Sequence, residues 1–157
     1  MQQITPCLWF NDQAEAAARF YTSIFKNSTI GEITHYGEGS PRPTGSVLTV
    51  RFQLDGQEFL ALNGGPQFTF TEAVSFIVHC ETQEELDRMW EKLSEGGEEV
   101  QCGWLKDKYG LSWQIIPTLL IKLLQDPDKE KSNRVMQAML KMKKIEIPKL
   151  VEAAEQK

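Results

Sequence analysis

The residue types that most often carry chemistry are sparse in this chain, and their spacing excludes most familiar sites. His35 and His79 are the only histidines, and neither forms the HExxH or HxH pattern that grips a metal on one element. Cys7, Cys80 and Cys102 are far apart, odd in number and never in a CxxC pair, so neither a zinc knuckle nor a disulfide framework is indicated. No GxSxG elbow or Ser-Lys pair supports hydrolase chemistry. No GxGxxG follows a strand and no GxxxxGK[ST] occurs, which removes the nucleotide and S-adenosylmethionine sites of Rossmann type. The glycine pairs Gly64-Gly65 and Gly96-Gly97 fit a loop and a helix C-cap better than a phosphate cradle.

What remains is a set of strand residues whose alternation decides what they face. Residues two apart share a face of a strand. Thr5, Cys7 and Trp9 therefore go together, as do Ser75, Ile77 and His79, and Ser112, Gln114 and Ile116.

The elements that must position them follow from hydrophobic periodicity. Residues 3–10 (QITPCLWF) read as a buried strand, with Asn11-Asp12 as an N-cap for AEAAARFYTSIF, in which Ala16, Ala17, Phe20 and Ile24 recur at helical spacing. THY and SVLTVRFQL read as strands around GEGSPRPTG, and Asp55-Gly56 predicts a hairpin turn into QEFLALN. The pattern restarts at AVSFIVHC and ETQEELDRMWEKLSEGG, whose Leu86, Met89, Trp90 and Leu93 form one stripe ending at Gly96-Gly97. EVQCGW and LSWQIIP, joined through KDKYG, complete this half. A shift of 70 positions aligns Thr5 with Ser75, Phe10 with Cys80, Ala16 with Leu86 and Phe20 with Trp90, a weak internal repeat of a strand–helix unit. Beyond Thr118, TLLIKLLQ, KEKSNRVMQAMLKMKK and IPKLVEAAEQ read as helices broken at Asp126-Pro127 and Pro148. The expected organisation is a first module over 1–70, a second over 71–117 and a helical extension over 118–157.

Composition agrees with a folded, soluble class. Apolar residues make up 41% and charged residues 25% of 157, ordinary globular usage. A net charge of −5, from 22 acidic and 17 basic residues, gives no footing for a nucleic-acid backbone. Lys141, Lys143, Lys144 and Lys149 interleave with Met139, Leu140, Met142 and Ile145, as on the wet face of an amphipathic helix. Neither a basic leader nor an apolar run of about 18 residues is present. Reduced thiols and a cytoplasmic location are expected, with no membrane partner.

With two βαβββ halves in place, TPCLWFNDQAEAAARFY resembles the opening motif of the vicinal-oxygen-chelate (glyoxalase-like) superfamily. CGWLKDKYGLSWQIIP followed by DPDKEKSNRVMQAMLKMKKIEIPKL is similar to its PhnB-like branch, also labelled 3-demethylubiquinone methyltransferase-like. The resemblance implies an α+β fold in which two βαβββ modules form a glyoxalase-like cup, with C-terminal helices added, commonly as a homodimer around a small molecule. Metal-dependent members hold a divalent ion with His and Glu. By that resemblance the ligand positions fall on Thr5, Ser75, Gln114 and either Phe59 or Ala61, none of which offers an imidazole or carboxylate. No metal and no cofactor are expected, and the methyltransferase label finds no cofactor motif here.

The same resemblance places Thr5, Cys7, Trp9, Phe59, Ala61, Ser75, Ile77, His79, Gln114 and Ile116 around the ligand. Trp9, Phe59, Ile77 and Ile116 would supply apolar walls, and Thr5, Ser75 and Gln114 hydrogen bonds, suiting a neutral, partly aromatic molecule. The alternative is an enzyme of unknown substrate, metal-assisted or acid–base, using residues such as His79, Glu58 and Cys7. A third class treats the C-terminal helices as a partner-binding platform.

Overall fold

Each strand–helix start in the sequence opens a βαβββ module in the computed structural model, which describes residues Gln2–Gln156. The first compact unit reaches to Phe70 and the second begins at Thr71.

In the first unit, β1 (Cys7–Phe10), α1 (Ala14–Ile24), β2 (Thr29–His35), β3 (Val47–Leu54) and β4 (Gln57–Asn63) form a four-stranded sheet of order β1-β4-β3-β2. β1 runs parallel to β4 and the other pairs are antiparallel. Asp55 (φ 48°) and Gly56 (φ 81°) both adopt left-handed backbone in the β3–β4 turn, the requirement of a type I′ hairpin. No side chain of the Asn11–Gln13 stretch caps α1. Its first N–H is instead met by Asn63 Oδ1 at 2.8 Å, from the end of β4, while Asn63 Nδ2 donates to the Val47 carbonyl at 3.1 Å. One buried amide thus ties the helix start to two strands, satisfying a backbone donor that would otherwise lack a partner.

The second unit repeats this plan. β5 (Ser75–Cys80), α2 (Gln83–Ser94), β6 (Glu98–Glu99), β7 (Trp104–Lys106) and β8 (Ser112–Pro117) give a sheet of order β5-β8-β7-β6, with β5 parallel to β8. Thr82 caps α2, its hydroxyl accepting from Glu85 N at 3.1 Å. Glu84 and Glu85 in the first turn and Lys92 in the last suit the helix dipole. EVQCGW is not one strand: Cys102 (φ 59°) and Gly103 (φ 85°) are left-handed, which breaks extended geometry and separates β6 from β7.

The helical stripes show where the repeat drifts. Leu86, Met89, Trp90 and Leu93 are buried on α2, and Ala14, Ala17, Ala18, Tyr21 and Ile24 on α1. Ala17 and Ile24 are buried as expected, whereas Ala16 is exposed and Phe20 only half-buried, their places in the stripe being taken by Ala18 and Tyr21. Three residues link β1 to α1 and two link β5 to α2. Strand residues Phe10 and Cys80 therefore correspond at 70 positions, whereas the buried helix residues Tyr21 and Trp90 correspond at 69.

The extension forms α3 (Thr118–Leu124), α4 (Lys129–Leu140) and α5 (Ile147–Glu155), and it belongs to the second compact unit. Val135, Met142, Ile145 and Leu150 are buried. Residues 142–143 pair along the β6–β7 turn, with Cys102 N and Gly103 N each donating at 2.8 Å to the Met142 and Lys143 carbonyls. The Gln83 side chain accepts from Ile147 N at 2.7 Å and donates to the Ile145 carbonyl at 3.0 Å. Arg134 donates to the last carbonyls of α5, those of Ala153 and Ala154. The extension is built into this unit through backbone and core. The lysine-rich stretch is partly neutralised, Lys144 by Asp87 at 2.9 Å and Lys149 by Glu146 at 3.0 Å.

Candidate functional site

Each sheet buries one face under its helix and leaves the other more open, and register assigns every candidate to one of these faces. In the first unit, Cys7 pairs with Leu60, Leu8 with Ala61 and Trp9 with Leu62. Because paired residues share a face, Cys7, Trp9, Leu60 and Leu62 lie on the open face and Leu8, Phe59 and Ala61 on the helix side. Phe59 and Ala61 are 6% and 0% exposed. Phe59 stacks on Phe52 at 5.3 Å, and Phe52 in turn stacks on Tyr21 of α1 at 6.1 Å. These two residues are core, which corrects the sequence expectation: alternation is local to one strand, and only pairing to β1 fixes the phase of β4. Thr5 is exposed and precedes β1, although Pro6 O still accepts from Leu60 N at 2.9 Å.

Trp9 is held in place by the loop after β4. Its Nε1 donates to the Gly65 carbonyl at 2.9 Å, and its ring meets Phe68 edge-on at 4.9 Å. A Cβ on Gly64 would lie 2.4 Å from that ring, so only glycine lets the loop approach so closely. Leu60, Leu62 and Trp9 form a half-buried apolar strip. Beside it, Arg51 grips Glu58 at 2.7 Å, engaging the carboxylate considered for an enzymatic role. The Cys7 thiol is raised from its ordinary value by desolvation, which keeps it protonated at neutral pH and disfavours nucleophilic use.

In the second unit, Ser75 pairs with Ser112, Ile77 with Gln114 and His79 with Ile116. Across β8, Trp104 pairs with Gln114 and Lys106 with Ser112. All eight side chains therefore share one face. Gln114 Nε2 donates to Ser75 Oγ at 2.9 Å, orienting both polar candidates. Ile77 is 49% exposed, an apolar side chain open to solvent on a sheet face, whereas Ile116 is only 8% exposed. Ile116 Cδ1 and Ile145 Cγ1 lie 2.9 and 3.1 Å from the place a Gly103 Cβ would take. The extension thus fills the space beside Ile116 and takes that residue out of the open surface. His79 is exposed at the end of β5.

The sequence reading missed the residues around the β7–β8 turn. Asp107, 2% exposed, accepts from Tyr109 N at 2.8 Å and Leu111 N at 3.1 Å through Oδ1, and from Trp113 Nε1 at 2.9 Å through Oδ2. Its Asp-x-x-Gly spacing with Gly110 (φ 87°) was the available signal. Lys106 is ion-paired with Glu72, and the Ser112 hydroxyl is buried with no hydrogen-bond partner among the described residues.

The donor set does not fit the divalent metal of the glyoxalase-like proteins. Thr5 and Ser75 offer neutral hydroxyls, and Gln114 an amide whose nitrogen is turned to Ser75. Equating the β1–β4 and β5–β8 pairs, the first-unit counterpart of Gln114 is Leu60, between the two residues expected there. Among the described residues no three His, Cys, Asp or Glu side chains come together as a metal-holding group. Neutral oxygens and an isobutyl group supply neither charge nor strong σ-donation for a first-row ion.

Comparison with known proteins places this geometry in a family. The model of the family described as 3-demethylubiquinone-9 3-methyltransferase matches residues 2–116. A PhnB protein from Bacillus cereus, described with the same methyltransferase name, is 41% identical over 74% of this chain and 99% of its own, with a TM-score of 0.68. A protein from Pseudomonas aeruginosa shares the fold at 20% identity, covering 74% of this chain and 98% of its own, with a TM-score of 0.63. The fosfomycin resistance protein FosX from Listeria monocytogenes does so at 14%, covering 74% and 93%, with a TM-score of 0.51. No curated protein matches the chain. The family match stops short of α3, so DPDKEKSNRVMQAMLKMKKIEIPKL, included in the sequence resemblance, lies outside the matched residues. With its two repeated βαβββ modules and α+β glyoxalase-like fold, the chain belongs to the PhnB-like family of 3-demethylubiquinone-9 3-methyltransferase-like proteins.

Proposed function

We propose that this protein binds a small, partly aromatic molecule against the open face of its second sheet, without a metal, and works as a cytoplasmic homodimer. The observation that carries the reading is the open face of the second sheet, where Ile77 stands 49% exposed beside the oriented Ser75–Gln114 pair. Solvent-exposed apolar area next to a few fixed polar groups is the ordinary make-up of a small-molecule site. The strip of Trp9, Leu60 and Leu62 on the first sheet has the same character. The neutral donor set supports a metal-free site, and three free cysteines accord with a reducing compartment. Among the described residues no helix is long and apolar enough to cross a membrane.

A thermal-shift screen of small neutral aromatics on chelator-treated protein tests the reading, followed by calorimetric titration of the hits and of zinc, nickel and manganese. Saturable binding of aromatics is expected, weakened at least tenfold by Ile77→Asp, with no saturable binding of the metals. One tightly bound metal per chain, or hits indifferent to Ile77→Asp, would overturn the proposal. Sedimentation at low micromolar concentration reads the assembly, and a single monomeric species refutes the dimer.

A further inference from the structure

One row of the second sheet brings two hydroxyls beside a lysine. Ser75, Ser112 and Lys106 are register neighbours across β5, β8 and β7, so their side chains stand side by side on the open face. Ser75 Oγ accepts from Gln114, which leaves its own proton to give elsewhere. Ser112 Oγ is fully buried and has no partner among the described residues, a state that native interiors rarely tolerate without a reason. Lys106 adds a positive charge at the end of the row. Trp104, beside Gln114 in the next row, puts an aromatic ring on the same face.

What meets Lys106 is a carboxylate from the chain itself. Glu72, in the segment leading into β5, forms an ion pair with Lys106 of β7, two strands away in the sheet order. The pair is exposed, Lys106 by 36% and Glu72 by 56%. Exposed pairs of this kind hold weakly, so a competing anion can displace Glu72 at little cost. Glu98, the register neighbour of Lys106 on β6, adds negative charge on the far side of the lysine. Net attraction at the row therefore depends on one lysine and two hydroxyls, and it suits a single small anionic group rather than a polyanion.

We propose that the second sheet carries a carboxylate subsite in which Ser75, Ser112 and Lys106 hold the carboxylate of an aromatic acid, and that Glu72 is its built-in competitor. This rests on the small-molecule reading above and changes the neutral ligand expected from sequence into an anionic one. Exchange is a displacement: the Glu72 carboxylate leaves Lys106, the ligand carboxylate takes its place, and Ser112 gains the acceptor it lacks. Trp104 and Ile77 then face the ligand's apolar portion.

The test titrates the full chain with benzoate, its neutral isostere benzamide and inorganic phosphate. Glu72→Gln removes the competitor, and Glu72→Ala repeats the removal with a different side chain. Both variants should bind benzoate at least tenfold tighter than the wild type and benzamide no tighter. Adding Ser112→Ala or Lys106→Met to Glu72→Gln should cancel that gain. The subsite is overturned if benzoate binds the Glu72 variants no better than wild type, if benzamide gains equally, or if the gain survives Ser112→Ala. A gain for phosphate in place of benzoate overturns the carboxylate assignment. Benzamide binding with no Glu72 effect on benzoate would sink the subsite and leave the small-molecule reading standing, whereas no binding of benzoate or benzamide by any variant would overturn both.

Discussion

Replacing Asp107 should unfold the β7–β8 corner in a graded way that depends on which acceptor is lost. The carboxylate is 2% exposed and accepts from two backbone N–H groups and the Trp113 indole. Asp107→Ala strands the Leu111 N–H and the Trp113 Nε1–H, both in buried bonds, while Tyr109 N is part-buried and can turn to water. An orphaned buried donor costs about 1–3 kcal/mol, so two of them plus the small void give about 3–5 kcal/mol. Asp107→Asn keeps Oδ1 for the two backbone donors and sets an NH2 group against Trp113 Nε1–H, a loss of about 2 kcal/mol by the same measure. At this chain length 1 kcal/mol moves the midpoint by about 2–4 °C. Asp107→Ala should therefore melt on the order of 10 °C lower and Asp107→Asn about half that. Urea unfolding followed by tryptophan fluorescence, with Trp113 as a local reporter, measures both. The argument fails if Asp107→Ala stays within about 1 kcal/mol of wild type, or if Asn is as damaging as Ala, which would make charge rather than acceptor geometry the cause.

Truncation before Asp126 removes the buried side chains of Val135, Met142, Ile145 and Leu150, roughly 6–12 kcal/mol of burial as an upper bound. That rivals the whole stability of a typical domain, so the shortened chain should lose cooperative unfolding of its second unit; an unchanged thermal midpoint would show the extension to be dispensable. Thiol labelling of the native protein at pH 8 should modify Cys7 well before Cys80. Burial first, then Glu85 and Glu81, push the Cys80 thiol up to about 12, leaving on the order of one thiolate in ten thousand. Mass spectrometry of the labelled peptides decides it, and comparable rates at the two sites would contradict the burial argument.

Hydrophobic periodicity and turn chemistry make the strand–helix order of both modules legible in the sequence, though not the break within EVQCGW. The Asp55-Gly56 turn, the Leu86–Met89–Trp90–Leu93 stripe and the strand–helix repeat are local patterns, and backbone sterics with side-chain spacing specify them without knowledge of distant contacts. The same reasoning sorted Ser75, Ile77 and His79 onto one face and Ser112, Gln114 and Ile116 onto one face, since alternation within a strand is a local property. Tertiary structure alone decided which face of one strand joins which face of the next. A one-residue difference in register exchanges the two sides of a strand, and so Phe59 and Ala61 proved to be core while Leu60 took the open position. Only folding could bring Asn63 to the start of α1, Glu72 across to Lys106, Asp107 to Trp113 and Ile145 beside Ile116. Each of those contacts depends on chain paths that meet through sheet pairing and helix packing, and no spacing along the sequence encodes where those paths cross.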